Sequence, residues 1–394
     1  MVDSKLYNIV RVALVLTAFL YVLLCRKISM ETVRSIGLAV AVAIVYCLIY
    51  AAAVGYNTMW FCFTAICAAT IYAFIQAAVD KDRGGQLFIK YKDLIVIIAV
   101  VSLFFWLFGS MLGMISPSGY LDITWGSEDG SRLIPSYFGL YFETQSVNSF
   151  LGVINTTVCR NTAIFTEAPM FNFHLCMALI IELFYCKKIS QAKCAILILA
   201  ILSTFSTTGY CMMIIVLVAK YIFSKKVTGF LKTLKVVIVP CLVVVGVILF
   251  LTLISYRLGT SSGSARVSDF VTGFQAWLKS PLFGYGYGSE LYYNSVKYGF
   301  SNSITQILGY GGIFLAIPYF YFMVKWVCRC VKERDMEKFL MFVCFMFLFA
   351  ITIVADRFLT MFFLFASCIP RQKEQAECSV AVRWAYGNVV KNES

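Results

Sequence analysis

The chain has 394 residues, of which 61% are hydrophobic and 13% charged, with a net charge of +13. A soluble chain carries about 25% charged residues, so this composition excludes an ordinary soluble globular protein and fits a polytopic membrane protein. The positive surplus falls in short loops between apolar runs, which is the signature of membrane topology and argues against nucleic acid as its target.

Apolar runs near 6–25, 35–54, 58–79, 94–115, 168–186, 194–206, 209–223, 236–254, 303–324, 339–355 and 358–369 predict an all-α fold of eleven transmembrane helices, ten to twelve within boundary error. The first run is followed by Arg26-Lys27 and reads as a retained span rather than a cleaved signal. Runs six and seven are short and are expected to tilt or re-enter, meeting at the turn Ser206-Thr-Thr-Gly209.

Basic residues set the orientation. The loops after spans one, three, five, seven and nine carry Arg26, Lys27 and Arg34; Lys81, Arg83, Lys90 and Lys92; Lys187, Lys188 and Lys193; Lys225, Lys226, Lys232 and Lys235; and Arg329, Lys332, Arg334 and Lys338. These loops are expected to face the cytoplasm. The chain then divides into helices one to four (1–115), a first external loop (116–167), helices five to eight (168–254), a second external loop (255–302), helices nine to eleven (303–370) and a short cytoplasmic tail (371–394). External loops of roughly fifty residues among short connections are where function concentrates. No internal repeat of the kind that marks many transporters is visible.

Most of the fifteen cysteines lie in apolar runs and read as small hydrophobes. Cys159 stands well inside the first external loop without an obvious partner. Cys328-Arg-Cys330 lacks a second pair or a histidine to complete a zinc site. No disulfide, metal or cofactor is expected.

The first external loop ends in Arg160-Asn-Thr-Ala-Ile-Phe-Thr-Glu167-Ala-Pro169. Pro169 suits the first turn of a helix, and Thr166 or Glu167 falls at its head, where a carboxylate meets the positive end of the helix dipole. The plain alternative is that Glu167 is a cap-region residue and Arg160 a solvated loop charge. In the second loop the run Arg266–Trp277 places Val267, Phe270, Val271, Phe274, Trp277 and Leu278 on one helical face, with Ser264 as a candidate cap and Pro281 past its end. That amphipathic helix is expected to lie on the membrane. Arg266 sits in its first turn, where free amides attract anions, and guanidinium binds phosphate oxygens in pairs. Arg257, and Arg357 beside Asp356, are further cations on the same side; each equally suits a lipid phosphate.

The run Gly284-Tyr-Gly-Tyr-Gly288 faces away from cytoplasmic nucleotides. Tyr285 and its neighbouring tyrosines either stack on sugar rings or form an interfacial aromatic belt. Ser303 and Gln306 form a Ser-x-x-Gln capping box, which aims Asn302 at the outer mouth, and Gly309, Gly311 and Gly312 permit a bend or a close contact. His174, the single histidine, reads as a buried hydrogen-bonding residue. Glu182 and Arg11 lie near enough to an interface to snorkel.

At these residues the chain resembles the Wzy-type O-antigen and capsular polysaccharide polymerases, within the wider O-antigen polymerase/ligase superfamily. The first loop matches an Arg…Ala-Ile-Phe-x-Glu pattern through Arg160, Ala163, Ile164, Phe165 and Glu167, with Ala168 displacing the proline by one residue. A Ser/Thr-rich turn follows at Ser203–Gly209. The second loop matches through Arg266, Trp277, Pro281, Gly284 and Gly286, and the next span opens on Asn302, Gln306, Gly311 and Gly312. Ligases of the superfamily place a histidine just before the asparagine-like position, where this chain has Ser301.

The resemblance implies a GT-C-like arrangement in a bacterial inner membrane with the site on the periplasmic face, and no cofactor or metal. It implies that undecaprenyl-pyrophosphate-linked oligosaccharide repeat units are joined there, with a chain-length regulator as a possible partner. An acceptor sugar hydroxyl would attack the donor's anomeric carbon and release undecaprenyl pyrophosphate. Arg160 and Arg266 would stabilise the leaving diphosphate, with Glu167 as general base and Asp269 as a weaker candidate. Arg257, Arg357, Trp277, Gly284, Gly286, Tyr285 and Asn302 would contact the pyrophosphate or the glycan. The other readings are an O-antigen ligase, which differs in its acceptor, and a lipid-linked oligosaccharide flippase.

Overall fold

The computed structural model describes residues 4–25, 28–123, 132–148, 157–186, 188–223, 261–289, 302–351, 358–365, 367 and 369. The helices are α1 (Ser4–Leu24), α2 (Met30–Ala53), α3 (Thr58–Asp80), α4 (Gly84–Phe105), α5 (Ala168–Ile180), α6 (Gln191–Ser203), α7 (Thr207–Phe223), α8 (Ser261–Lys279), α9 (Ser303–Glu333), α10 (Met336–Ile351) and α11 (Phe358–Phe365). Both α4 and α5 run on into π-helical turns, Trp106–Met111 and Ile181–Tyr185.

Five of these helical stretches are long and apolar enough to cross a membrane: Met30–Ala53, Thr58–Asp80, Gly84–Met111, Ala168–Tyr185 and Ser303–Glu333. Shorter apolar stretches lie in α1, α6, α7 and α10. The predicted span 236–254 lies outside the described residues. Span four begins at Gly84, ten residues before the predicted start at 94, because Lys90, Lys92 and Asp93 are helical although polar.

The all-α expectation needs one correction. The first loop forms β1 (Gly119–Ile123), β2 (Arg132–Tyr137) and β3 (Tyr141–Phe142), an antiparallel sheet in the order β1-β2-β3. A second small ladder pairs β4 (Ser146–Val147) with β5 (Val158–Cys159). Ile123, Ile134 and Phe142 make a small core under the sheet. The sheet is seated on the end of α4 because Gly109 lets the Tyr137 ring approach to where a Cβ would lie 2.6 Å from it.

The packing centre is α5, surrounded by α4, α6, α7 and α10. All of its residues but Met170 and His174 are buried, as in a core helix. By contrast α2 exposes Leu38, Val42, Ile44, Val45 and Leu48, the surface expected of a helix bathed in lipid.

The two ends of the bundle differ in chemistry. At one end sit the α1–α2 and α3–α4 connections and the α5–α6 and α9–α10 turns. Here Lys92 pairs with Glu182 at 2.7 Å, Lys193 with Asp93 at 2.7 Å and Arg329 with Glu333 at 2.6 Å. Glu182 does not snorkel: its side chain is 1% exposed and also accepts the Ser190 N–H at 2.6 Å. The side chain of Arg11 lies outside the described residues. The opposite end carries the β-strands and the loop after α8.

The segment after β5 reaches α4 and α6 together, at Ser102 and Ser203.

Candidate functional site

The segment after β5 is bonded to the end of α6 and to the α6–α7 turn. Arg160 donates its backbone N–H to Gln145 O (2.9 Å) and its Nε–H to Thr204 O (2.9 Å), in the α6–α7 turn. Asn161 is fully buried. Its Nδ2 donates to Ser203 Oγ (2.9 Å) and Ser102 Oγ (3.2 Å), and its N–H to Ser203 O (3.0 Å). Thr162 Oγ1 donates to Phe142 O (3.0 Å). Ala163 takes a left-handed φ of +50°, with its N–H on Asn161 Oδ1. Buried non-helical backbone survives only where its polar groups find partners. The run Arg-Asn-Thr supplies those bonds.

Chain and helices meet again at Asn172. Its Nδ2 donates to Thr204 Oγ1 at 2.8 Å, and its Oδ1 lies so close to Gly209 that a Cβ there would overlap it. The turn spans Thr204–Ser206, and α7 already begins at Thr207 rather than at the predicted residue 209. On α5, His174 stands two residues from Asn172 and so faces about the opposite way. His174 Nδ1 meets Tyr91 Oη at 3.1 Å and its ring stacks on Phe165 at 4.4 Å, away from the α6–α7 turn.

Glu167 is the N-cap of α5, with extended φ −139° and ψ 147°, and Pro169 sits in the first turn as expected. Its carboxylate makes no capping bond to the helix. The first amide, Ala168 N–H, goes instead to Gln145 Oε1 at 3.0 Å.

Above Arg160 a second polar group forms at the end of α4. Glu143 accepts from Ser110 Oγ (2.6 Å) and Tyr137 Oη (2.7 Å), and Trp106 Nε1 donates to Cys159 O (2.9 Å). Burial, and then the Glu143 carboxylate, push the Tyr137 hydroxyl up. Cys159 is a free thiol, pushed up to about 11 by burial and then by Glu143.

The second loop is built around a break in α9. Gly312 has φ +56° and ψ −152°, which interrupts the helix. The freed amides of Ile313 and Phe314 donate to Pro281 O (2.9 Å) and Leu282 O (3.0 Å), while Gly309 O accepts the Tyr285 N–H (2.8 Å). Only glycine fits at Gly284, where a Cβ would collide with the Gly309 carbonyl. Gly286, at φ +101°, packs against the Tyr56 ring. Tyr50 Oη donates to Tyr56 O and receives the Tyr287 N–H, tying this loop to the α2–α3 turn. Tyr285 packs with Ala276 and Tyr310, and Trp277 Nε1 donates to Pro281 O (3.0 Å). These residues have packing roles in the described structure.

Three expectations here are corrected. Helix α8 starts at Ser261, so Ser264 lies inside it and does not cap it. The cap of α9 is Asn302, not Ser303: Asn302 Oδ1 accepts from Thr305 N (2.8 Å) and Thr305 Oγ1 (3.0 Å). Asn302 is accordingly 2% exposed and turned into the helix head rather than toward an outer mouth. The reason is geometric, since an asparagine one residue earlier reaches the same amides.

Helix α8 places Asp269, Gly273 and Ala276 inward, with Gly273 against Thr305, and leaves Phe270, Val271, Phe274 and Leu278 exposed. That outward apolar stripe fits a helix lying against lipid. Arg266 is on this helix, its side chain outside the described residues, and Arg257 and Arg357 lie outside them altogether.

The structure thus joins Arg160 to Thr204, and separately joins Pro281, Gly284 and Tyr285 to the break in α9 and Gly286 to Tyr56. Sequence reading missed Asn161, Asn172 and Glu143. The Ser/Thr density of 203–208 was the available signal for the turn; Asn172, in an apolar helix, gave none. No family model matches the chain, and neither does any curated protein or solved structure.

Proposed function

We propose that the chain is a membrane-embedded glycosyltransferase that polymerises polyprenyl-diphosphate-linked oligosaccharide repeat units on the outer face of a membrane. The observation that carries this reading is Arg160 held by its Nε–H on the Thr204 carbonyl of the α6–α7 turn, at the end of the bundle that carries the β-strands. Guanidinium is a planar donor group that suits phosphate oxygens.

In this reaction an acceptor hydroxyl attacks the donor's anomeric carbon, and the C–O bond to the diphosphate breaks. The hydroxyl proton passes to a base, for which Glu167 at the head of α5 is the candidate. Negative charge grows on the departing diphosphate, where Arg160 and Arg266 offset it. The apolar face of α8 fits a donor delivered from the lipid phase. The basic loops at the charged end support a cytoplasmic placement for that end.

The test is the glycan profile of the source organism lacking this gene, complemented with wild-type or Arg266→Ala copies. A ladder reduced to a single surface-attached repeat, restored by wild type alone, is the expected result. Loss of all surface repeats with lipid-linked material accumulating would indicate ligase or flippase action, and an unchanged ladder would overturn all three readings.

A further inference from the structure

The turn between β2 and β3 carries an aromatic side chain where a hairpin least accommodates one. Phe138 has φ +54° and Gly139 φ +68°, and the Leu140 N–H closes the turn on Tyr137 O at 2.9 Å. Two central residues with positive φ suit asparagine and glycine, and a phenylalanine in the first place is strained. Burial within the protein does not offset that strain, since Phe138 is 68% exposed. Ser118 holds it in place, with its Oγ accepting the Phe138 N–H at 2.6 Å. Leu140 is exposed on the same turn.

What covers the turn follows from the surface it continues. Helix α4 and its π-helical end form Gly84–Met111, a stretch long and apolar enough to cross a membrane. Ile97, Val100, Phe104, Leu107 and Met111 are exposed at helical spacing along one face of it. The Phe138 ring lies 6.0 Å from that of Phe105, which lies 5.2 Å from that of Phe104. The turn is therefore seated against this stretch, short of its end. Leu112 and Met114 carry the exposed apolar surface past Met111. Residues 94–121 and 133–142 contain no Asp, Glu, Lys or Arg. The Glu143 carboxylate that follows is taken up by Ser110 and Tyr137. An uncharged apolar surface continuous with such a helix suits lipid, whereas a protein interface is rimmed by polar residues.

We propose that the turn Phe138-Gly139-Leu140, together with Leu112 and Met114, is a shallow membrane seat. It enters the bilayer at the boundary of headgroups and acyl chains and holds the sheet of the first loop on the lipid surface. Its attachment depends on buried apolar area and not on anionic lipid, because it carries no charge. The Phe142 N–H donates to Ala163 O at 3.1 Å, so the seated sheet is bonded to the segment that carries Arg160. The inference does not depend on the reaction proposed above.

The experiment uses the full chain in phosphatidylcholine nanodiscs, with wild type as the reference for its own tryptophans. Phe138→Trp adds a reporter at the turn. Leu133→Trp adds one at the far end of β2, where the native side chain is also 68% exposed. Most of the emission added at 138 should be lost with lipids brominated high on the acyl chain, and little of it to aqueous iodide. Emission added at 133 should be lost to iodide instead. Replacing part of the phosphatidylcholine by phosphatidylglycerol should leave this pattern unchanged. Leu140→Trp gives the same reading from the same turn if tryptophan at 138 impairs folding. Iodide quenching at both 138 and 140 overturns the proposal. Shielding of the turn from iodide and bromolipid alike also overturns it, and indicates a protein partner or a second copy there. Bromolipid quenching that is equal at 133 and 138, or that needs phosphatidylglycerol, overturns it as well.

Discussion

Gly312 lies so close to Leu282 that a Cβ on the glycine would come 2.5 Å from the Leu282 carbonyl. This contact makes the loop after α8 part of α9: the carbonyls of Pro281 and Leu282 replace the helical acceptors lost at the break. Below the break, α9 runs 21 residues from Ile313 to Glu333, about 31 Å and one bilayer core. Residues 303–311 stand beyond it alongside α8, so the crossing segment is displaced toward the charged end from the predicted 303–324.

Replacing Gly312 by alanine should destabilise the protein by about 2–4 kcal/mol. The cost combines a backbone region open almost only to glycine with the collision at Leu282. Thermal unfolding in detergent measures it. Gly37→Ala, where nothing lies within 4 Å, should be neutral or slightly stabilising.

Lys92→Met leaves the buried Glu182 carboxylate with the Ser190 amide and a long contact from the Cys186 thiol in place of its cation, and should cost about 3–5 kcal/mol. Glu182→Leu should cost less, because Lys92 keeps Asp93 at 3.1 Å. The double variant Lys92→Met/Glu182→Leu should recover most of the loss of the first. Additive losses in a double-mutant cycle would contradict a coupled pair.

If the proposed polymerase function holds, Arg160→Lys should lower repeat-unit polymerisation by about 10²-fold or more, close to the effect of Arg160→Ala. Lysine keeps the charge but cannot both hold the Thr204 carbonyl through Nε and present a planar fork. The ladder from purified protein and lipid-linked repeats reads this out, and near-normal activity in the lysine variant would refute a forked contact.

Cys159 should alkylate slowly at neutral pH. Its thiol is pushed up to about 11, so about one in a thousand is ionised at pH 8 and the rate should rise tenfold per pH unit. Glu143→Gln removes the negative charge that opposes the thiolate, lowers the thiol's pKa and should speed labelling at fixed pH. Pulsed iodoacetamide labelling followed by mass spectrometry gives both rates.

Much of the architecture is legible in the sequence. Runs of about 20 apolar residues, the placement of lysine and arginine, and Pro169 after Glu167 each report a local property: what solvent a segment meets, or how a helix begins. The helices α2, α3 and α5, the separation of a charged end from a loop end, and the head of α5 follow from these alone. The strands 119–123 and 132–137 were hidden because a short sheet in a turn-rich loop has too few alternating residues to register.

The tertiary structure alone decided how distant segments complete one another. Asn172 reaches Thr204, Arg160 reaches the same turn, Tyr287 reaches Tyr50, and Pro281 fills the break before Ile313. The glycines at 309–312 announce that α9 can break, but not that a carbonyl from residue 281 makes the break stable. Hydropathy averages over a helix and encodes its surroundings, whereas a bond between residues 30 or 200 positions apart depends on close packing, which leaves no periodic trace in the chain.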